Sequence, residues 1–139
     1  MLMKKAYSKD SGVGEYLKNI RPAFKDKRGT IIDILEDKNI KHVGLIISSS
    51  GSIRGNHYHK EATQWTYVID GKIKLHFRDL KKKDSQVDHL IMGSGDIIEL
   101  PPFTIHTIEA LEKSTLLILT NKSRKDNSYE YDTFRIKIV

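Results

Sequence analysis

The chain has 139 residues, 38% of them apolar and 30% charged, a balance that fits one folded domain and excludes a disordered tail. It contains no cysteine, which rules out disulfides, thiolate metal sites and thiol catalysis, so a metal would have to use nitrogen and oxygen ligands. The formal charge of +6, from 24 Lys and Arg against 18 Asp and Glu, favours anionic partners, yet only Lys81-Lys82-Lys83 forms a dense basic run.

The opening residues Met1-Leu-Met-Lys-Lys-Ala-Tyr-Ser-Lys9 carry bases with no apolar stretch behind them, unlike a secretory signal. No apolar run approaches the roughly 20 residues of a membrane span. Neither a helix-turn-helix pattern nor an aromatic RNA-binding signature is present. The expectation is therefore a cytoplasmic protein with no membrane and no nucleic-acid partner.

In chain order the first expected element is a short helix over 14–19. Strands are predicted over 30–35, 42–48, 57–59, 64–69, 72–78, 87–92, 97–100, 105–110, 114–121 and 133–139, each bounded by turn chemistry such as Asp26-Lys-Arg-Gly29, Gly93-Ser-Gly-Asp96 and Pro101-Pro102. Many short strands at even spacing predict an all-β sandwich or small barrel, one domain over 1–139. Asp70-Gly71 suits a two-residue type I′ turn, which predicts a hairpin pairing Ile69 with Lys72 through Gln64 with Phe77. Alternation then gives one core face, Gln64, Thr66, Val68, Ile73, Leu75 and Phe77. The opposite face carries Trp65, Tyr67, Lys74 and His76 and is expected to meet a partner subunit or water.

Three histidines stand out. His57 and His59 are two apart and point the same way on a strand. Gln64 begins the next strand on its core face, and a buried amide requires partners. His106 follows Pro101-Pro-Phe-Thr-Ile. Three imidazoles and one amide inside a barrel suit a divalent ion such as Zn²⁺, Fe²⁺, Ni²⁺ or Mn²⁺. The same groups suit general acid–base work. Both chemistries stay open at this point. His42, His76 and His89 are expected to be surface or satisfied core histidines.

The spacing Gly51-x5-His57-x-His59-x4-Gln64-x6-Gly71 resembles the first cupin motif, with Gln where Glu is usual. Gly95-x5-Pro101, then His106, resembles the second, with Phe103 and Ala110 replacing the usual Gly and Asn. This resemblance, centred on 51–110, implies a double-stranded β-helix, the jelly-roll barrel. Three further stretches resemble cupins that act on nucleotide-linked sugars: Phe24-Lys-Asp-Lys-Arg-Gly-Thr-Ile31, Arg54-Gly-Asn-His-Tyr-His-Lys60 and Tyr129-Glu-Tyr-Asp-Thr-Phe-Arg135. They are similar to runs in dTDP-4-keto-6-deoxyglucose 3,4-ketoisomerases and dTDP-4-dehydrorhamnose 3,5-epimerases. The Arg-Gly-x-His-Tyr-His run also resembles the cupin domain of a capsular-polysaccharide reductase, which is associated with a metal.

The resemblance implies proton transfer beside a keto group of a nucleotide sugar, with no cofactor required. His57 would remove the proton, His59 would return it or orient the intermediate, Arg54 would pair with a phosphate, and Tyr58 is a weaker substrate-binding candidate. It also implies a homodimer. A second expectation is a metal site of His57, His59, Gln64 and His106, serving a metal-dependent enzyme such as a dioxygenase or a sugar-binding module. Ile105 stands where the ketoisomerases usually carry an aromatic, and Thr133-Phe134 also departs from their pattern.

Overall fold

The computed structural model describes residues 17–139. Its strands are β1 (Lys18–Asn19), β2 (Phe24–Asp26), β3 (Gly29–Ile31), β4 (His42–Ser48), β5 (Ile53–Tyr58), β6 (Gln64–Asp70), β7 (Lys72–Asp79), β8 (Asp88–Gly93), β9 (Asp96–Leu100), β10 (Thr104–Ala110), β11 (Ser114–Thr120) and β12 (Phe134–Arg135). One sheet has the order β1-β9-β6-β11-β4 and the other β12-β5-β10-β7-β8, with β2 and β3 forming a separate ribbon. All pairs are antiparallel. The architecture is the expected cupin jelly roll: two facing sheets whose consecutive strands repeatedly cross from one to the other.

The inner faces supply the core. Val68, Ile73, Leu75, Phe77, Leu90, Met92, Ile98 and Leu116 are fully buried between the sheets. Alternation along β6 and β7 puts the expected residues inward, because the pleat sets a side chain's face whatever the strand's partner. The expected hairpin does not form. β6 lies between β9 and β11, and β7 between β8 and β10, so Asp70-Gly71 is a corner joining the two sheets. Gly71 has φ 98°, and a Cβ there would lie 2.5 Å from the Lys113 carbonyl oxygen, so only glycine fits this corner.

The face carrying Trp65 and Tyr67 is also corrected. Both are buried in a second cluster with Ile97, covered by Ile20, Ile34, Leu35 and Ile40 from the arm that precedes β4. The chain itself, rather than a partner or water, covers them. The same arm explains why the strand expected over 30–35 ends at Ile31: its remaining residues cross the sheet instead of pairing within it. Of the helix expected over 14–19, residues 14–16 lie outside the described residues, and Lys18–Asn19 is strand β1, paired with β9. The expected last strand shrinks to Phe134–Arg135, and an unforeseen single helical turn, α1 (Ser128–Tyr131), precedes it. Among the described residues no helix is long and apolar enough to cross a membrane.

Candidate functional site

The site is built around a bulge in β5. Along β10, His106 pairs with His57, Thr107 with Gly55 and Ile108 with Arg54, so Asn56 is left over. Simple alternation would put Arg54 and His57 on opposite faces, being three apart. The extra residue resets the phase, and both face inward beside His106 and Ile108. The backbone makes this possible: Gly55 has φ 107° and Asn56 φ 55°. A Cβ on Gly55 would lie 2.6 Å from the His106 carbonyl oxygen, so glycine is required where the strands close. Asn56 is held by its own side chain, whose Oδ1 accepts from the Thr107 hydroxyl at 2.9 Å and the Ile138 N–H at 2.8 Å.

Inside the barrel three imidazoles meet. Ring centroids lie 4.7 Å apart for His57 and His106, 5.1 Å for His57 and His59, and 5.6 Å for His59 and His106. One nitrogen from each lies within 4.8 Å of the others. Two rings have their tautomer fixed. The His59 Nδ1–H donates to the Asp132 carbonyl at 2.7 Å, and the His106 Nδ1–H donates to the Thr104 carbonyl at 3.2 Å. A carbonyl only accepts, so each neutral ring keeps its lone pair on Nε2. The His106 Nε2 is buried without a hydrogen-bond partner.

Burial holds the rings neutral. His57 is pushed down to about 4, first by desolvation and then by His59 and the Arg135 and Arg124 guanidiniums. His59 is lowered by desolvation, opposed by its bond to Asp132. His106, wholly buried, lies well below the ordinary imidazole value through desolvation and its two histidine neighbours.

The cavity in front of the rings measures about 50 Å³ and is lined by Arg54, His57, Gln64, His106, Arg124 and Tyr129 with Ile46, Ile108 and Ile118. Among the described residues no carboxylate lines it. The Arg54 Nε–H donates to the Ser48 hydroxyl at 3.2 Å, and Arg124 lies 4.1 Å over the Tyr129 ring. The Gln64 amide donates to the Thr66 hydroxyl at 3.1 Å, the partner its burial requires. A groove of about 500 Å³ on the outer side of the other sheet, between Trp65 and Ile34, holds no imidazole.

The structure thus brings Arg54, His57, His59, Gln64 and His106 together. Tyr58 is not among them: one residue past His57 it stacks with Phe134 at 5.3 Å and Phe103 at 6.2 Å on the opposite face. His76 bonds Glu109 at 3.0 Å away from the cavity, as expected of a satisfied histidine. His42 differs, because its buried Nδ1 has no hydrogen-bond partner. Sequence reasoning missed Arg124 and gave Tyr129 and Asp132 no role. Tyr129 lies 5.5 Å from His59 and 6.3 Å from His57, ring to ring, closing the cavity from above. The Tyr-x-x-Asp spacing was the available signal, since one helical turn puts both ends beside the same ring.

A family model described as the polysaccharide biosynthesis C-terminal domain matches residues 24–134. The chain belongs to this family. Among solved structures, this family member resembles QdtA, a sugar 3,4-ketoisomerase from Thermoanaerobacterium thermosaccharolyticum in complex with TDP, with a TM-score of 0.70, 20% identity, and coverage of 86% of this chain and 85% of that one. It also resembles dTDP-4-dehydrorhamnose 3,5-epimerase from Sulfolobus tokodaii, with a TM-score of 0.69, 20% identity, and coverage of 86% and 73%. Among curated proteins it is 33% identical over 101 residues to oxalate decarboxylase OxdC of Bacillus subtilis (strain 168). That match takes in 71% of this chain and spans a quarter (25%) of the relative's length. These likenesses confirm the cupin barrel.

The depressed imidazoles give the fold a defined acid sensitivity. In the unfolded chain His57 protonates near 6.5, whereas the folded protein resists until about 4, so the unfolded state binds more protons in that window. Stability is then fully present above the unfolded value and is lost as pH falls through the window, by up to about 3 kcal/mol from His57 alone. Urea unfolding of EDTA-treated protein should show this loss, with a shallower slope in His57→Asn. Equal slopes in the two proteins would contradict the neutral, buried His57.

Proposed function

We propose that the chain moves the carbonyl of a nucleotide-linked 4-keto-6-deoxy sugar by histidine-mediated proton transfer, during synthesis of a surface polysaccharide. The observation that carries this reading is the cavity itself, with neutral imidazoles beside two guanidiniums and, among the described residues, no carboxylate in its lining. Such a set accepts a proton and attracts an anionic substrate. His57 takes the proton from C3; the C3–H electrons form the C3=C4 bond of an enediol, and O4 gains a proton. O3 then gives up its proton as C4 receives one, leaving the ketone at C3. Protons and electrons balance without an oxidant. His59 returns the proton, and Arg54 binds a phosphate through its planar fork. A hexose ring needs more room than about 50 Å³, so binding requires the cavity to widen.

The orphaned His106 Nε2 favours a second reading, a divalent ion such as Zn²⁺, Fe²⁺, Ni²⁺ or Mn²⁺ held by His57, His59 and His106 with Gln64 beside them. Such an ion would supply Lewis-acid polarisation of a substrate oxygen, and this all-neutral ligand set would leave its charge to the substrate. The test is deuterium exchange into dTDP-4-keto-6-deoxyglucose in D₂O, run on EDTA-treated protein checked by elemental analysis. Exchange at C3 and C4, lowered about 10²–10⁴-fold in His57→Asn, is the expected result. No exchange, or full exchange in the variant, contradicts the reading. Exchange that vanishes on stripping and returns with added metal supports the second.

The chain is assigned to the cytoplasm, as its lack of cysteine suggests, and to a homodimer. Val43, Leu45 and Ile47 are each about 60% exposed on β4, an edge strand with no charged residue and no proline. Monomers normally protect such an edge. A second copy suits it: antiparallel pairing about Leu45 sets Val43 opposite Ile47. Light scattering should give a dimer that Leu45→Lys dissociates, and a wild-type monomer at all concentrations would contradict it.

A further inference from the structure

We infer that Asp132 is a positioning residue that sets which nitrogen of His59 carries the proton. His59 sits just past the end of β5, and its ring packs against those of His57 and His106, contacts that leave open which nitrogen carries the proton. What fixes it comes from a segment 73 positions later, where the Asp132 carbonyl accepts the His59 Nδ1–H at 2.7 Å. That carbonyl belongs to the residue that caps the C-terminus of α1, a helix of four residues, and one helical turn has no stability of its own. The Asp132 carboxylate supplies the anchor. Its Oδ1 accepts the N–H of Lys60 at 2.9 Å and of Glu61 at 3.1 Å, and its Oδ2 accepts the N–H of Ala62 at 2.9 Å and of Glu61 at 3.3 Å.

One residue thus grips the turn after His59 with its side chain and the His59 ring with its backbone. Charge-assisted bonds to three amides are strong, and the carbonyl they steady cannot donate. His59 is thereby held as the Nδ1–H tautomer, with the Nε2 lone pair turned toward His57 and His106. This role goes beyond the proposed chemistry, because Nε2 must be free whether it takes a proton or binds an ion. It also gives a purpose to the middle residue of the Tyr129-x-x-Asp132-x-x-Arg135 pattern. His106 is a built-in control: its Nδ1–H is held by Thr104, on its own strand, with no help from Asp132.

The test is the ring nitrogen spectrum of ¹⁵N-labelled, metal-free protein at neutral pH, which needs no substrate and so stands or falls apart from the proposed activity. In wild type, His59 and His106 should each show a single Nδ1–H tautomer; an Nε2–H form of His59 there overturns the inference. In Asp132→Asn, whose amide keeps the shape but supplies one acceptor oxygen in place of two, His59 should populate the Nε2–H form while His106 stays unchanged. Asp132→Ala should go further in the same direction, and if it fails to fold, Asp132→Asn decides. An unaltered His59 in the folded variant contradicts the role, as does a joint shift of His59 and His106, which would mark general loosening instead.

Discussion

The bulge at Asn56 is the constraint on which the site depends, since it turns a strand's strict alternation into a cluster. Without the extra residue, Arg54 and His57 would face opposite sides of the sheet, and the cavity would lose one of its two guanidiniums. The conditions for the bulge are local: a glycine that lets β5 approach the His106 carbonyl, and an asparagine that tolerates a left-handed backbone and bonds Thr107. The Arg-Gly-Asn-His run is therefore one structural device, in which the outer two residues line the cavity and the two between them supply geometry.

Burial then decides the state of the groups brought together. Three imidazoles packed this closely cannot all be charged, and desolvation keeps them neutral. Carbonyl acceptors at Asp132 and Thr104 orient two of the rings. Among the described residues the cavity wall carries the guanidiniums of Arg54 and Arg124 and no carboxylate, so its lining favours an anionic group on whatever enters.

Much of this was legible in the sequence, for reasons particular to each part. The 42–48 strand was readable to its ends, because its turn signals and strand formers agree. The inward faces of β6 and β7 were readable because alternation fixes a face, while the partner strand was not, because pairing in a jelly roll is decided by distant strands. His57, His59, Gln64 and His106 were visible as a spacing. Tyr58, the weaker substrate-binding candidate, follows strand alternation to the face opposite His57, where it stacks with Phe134 and Phe103. The union of Arg54 with His57 was hidden, since counting residues cannot reveal a bulge. Arg124 and Asp132 were hidden by distance: they reach the site only after the whole barrel has closed. Trp65 and Tyr67 misled because their cover comes from an arm read as a strand.

The convergence of imidazoles from β5 and β10 is tested most directly by calorimetric titration with Co²⁺, a probe of the ligand set whatever the native use of the site. Nitrogens within 4.8 Å of one another should bind one ion per chain, and His59→Ala and His106→Ala should each abolish that binding although the two residues are far apart in sequence. Absence of binding in the wild-type protein, or binding that survives either substitution, would contradict the account.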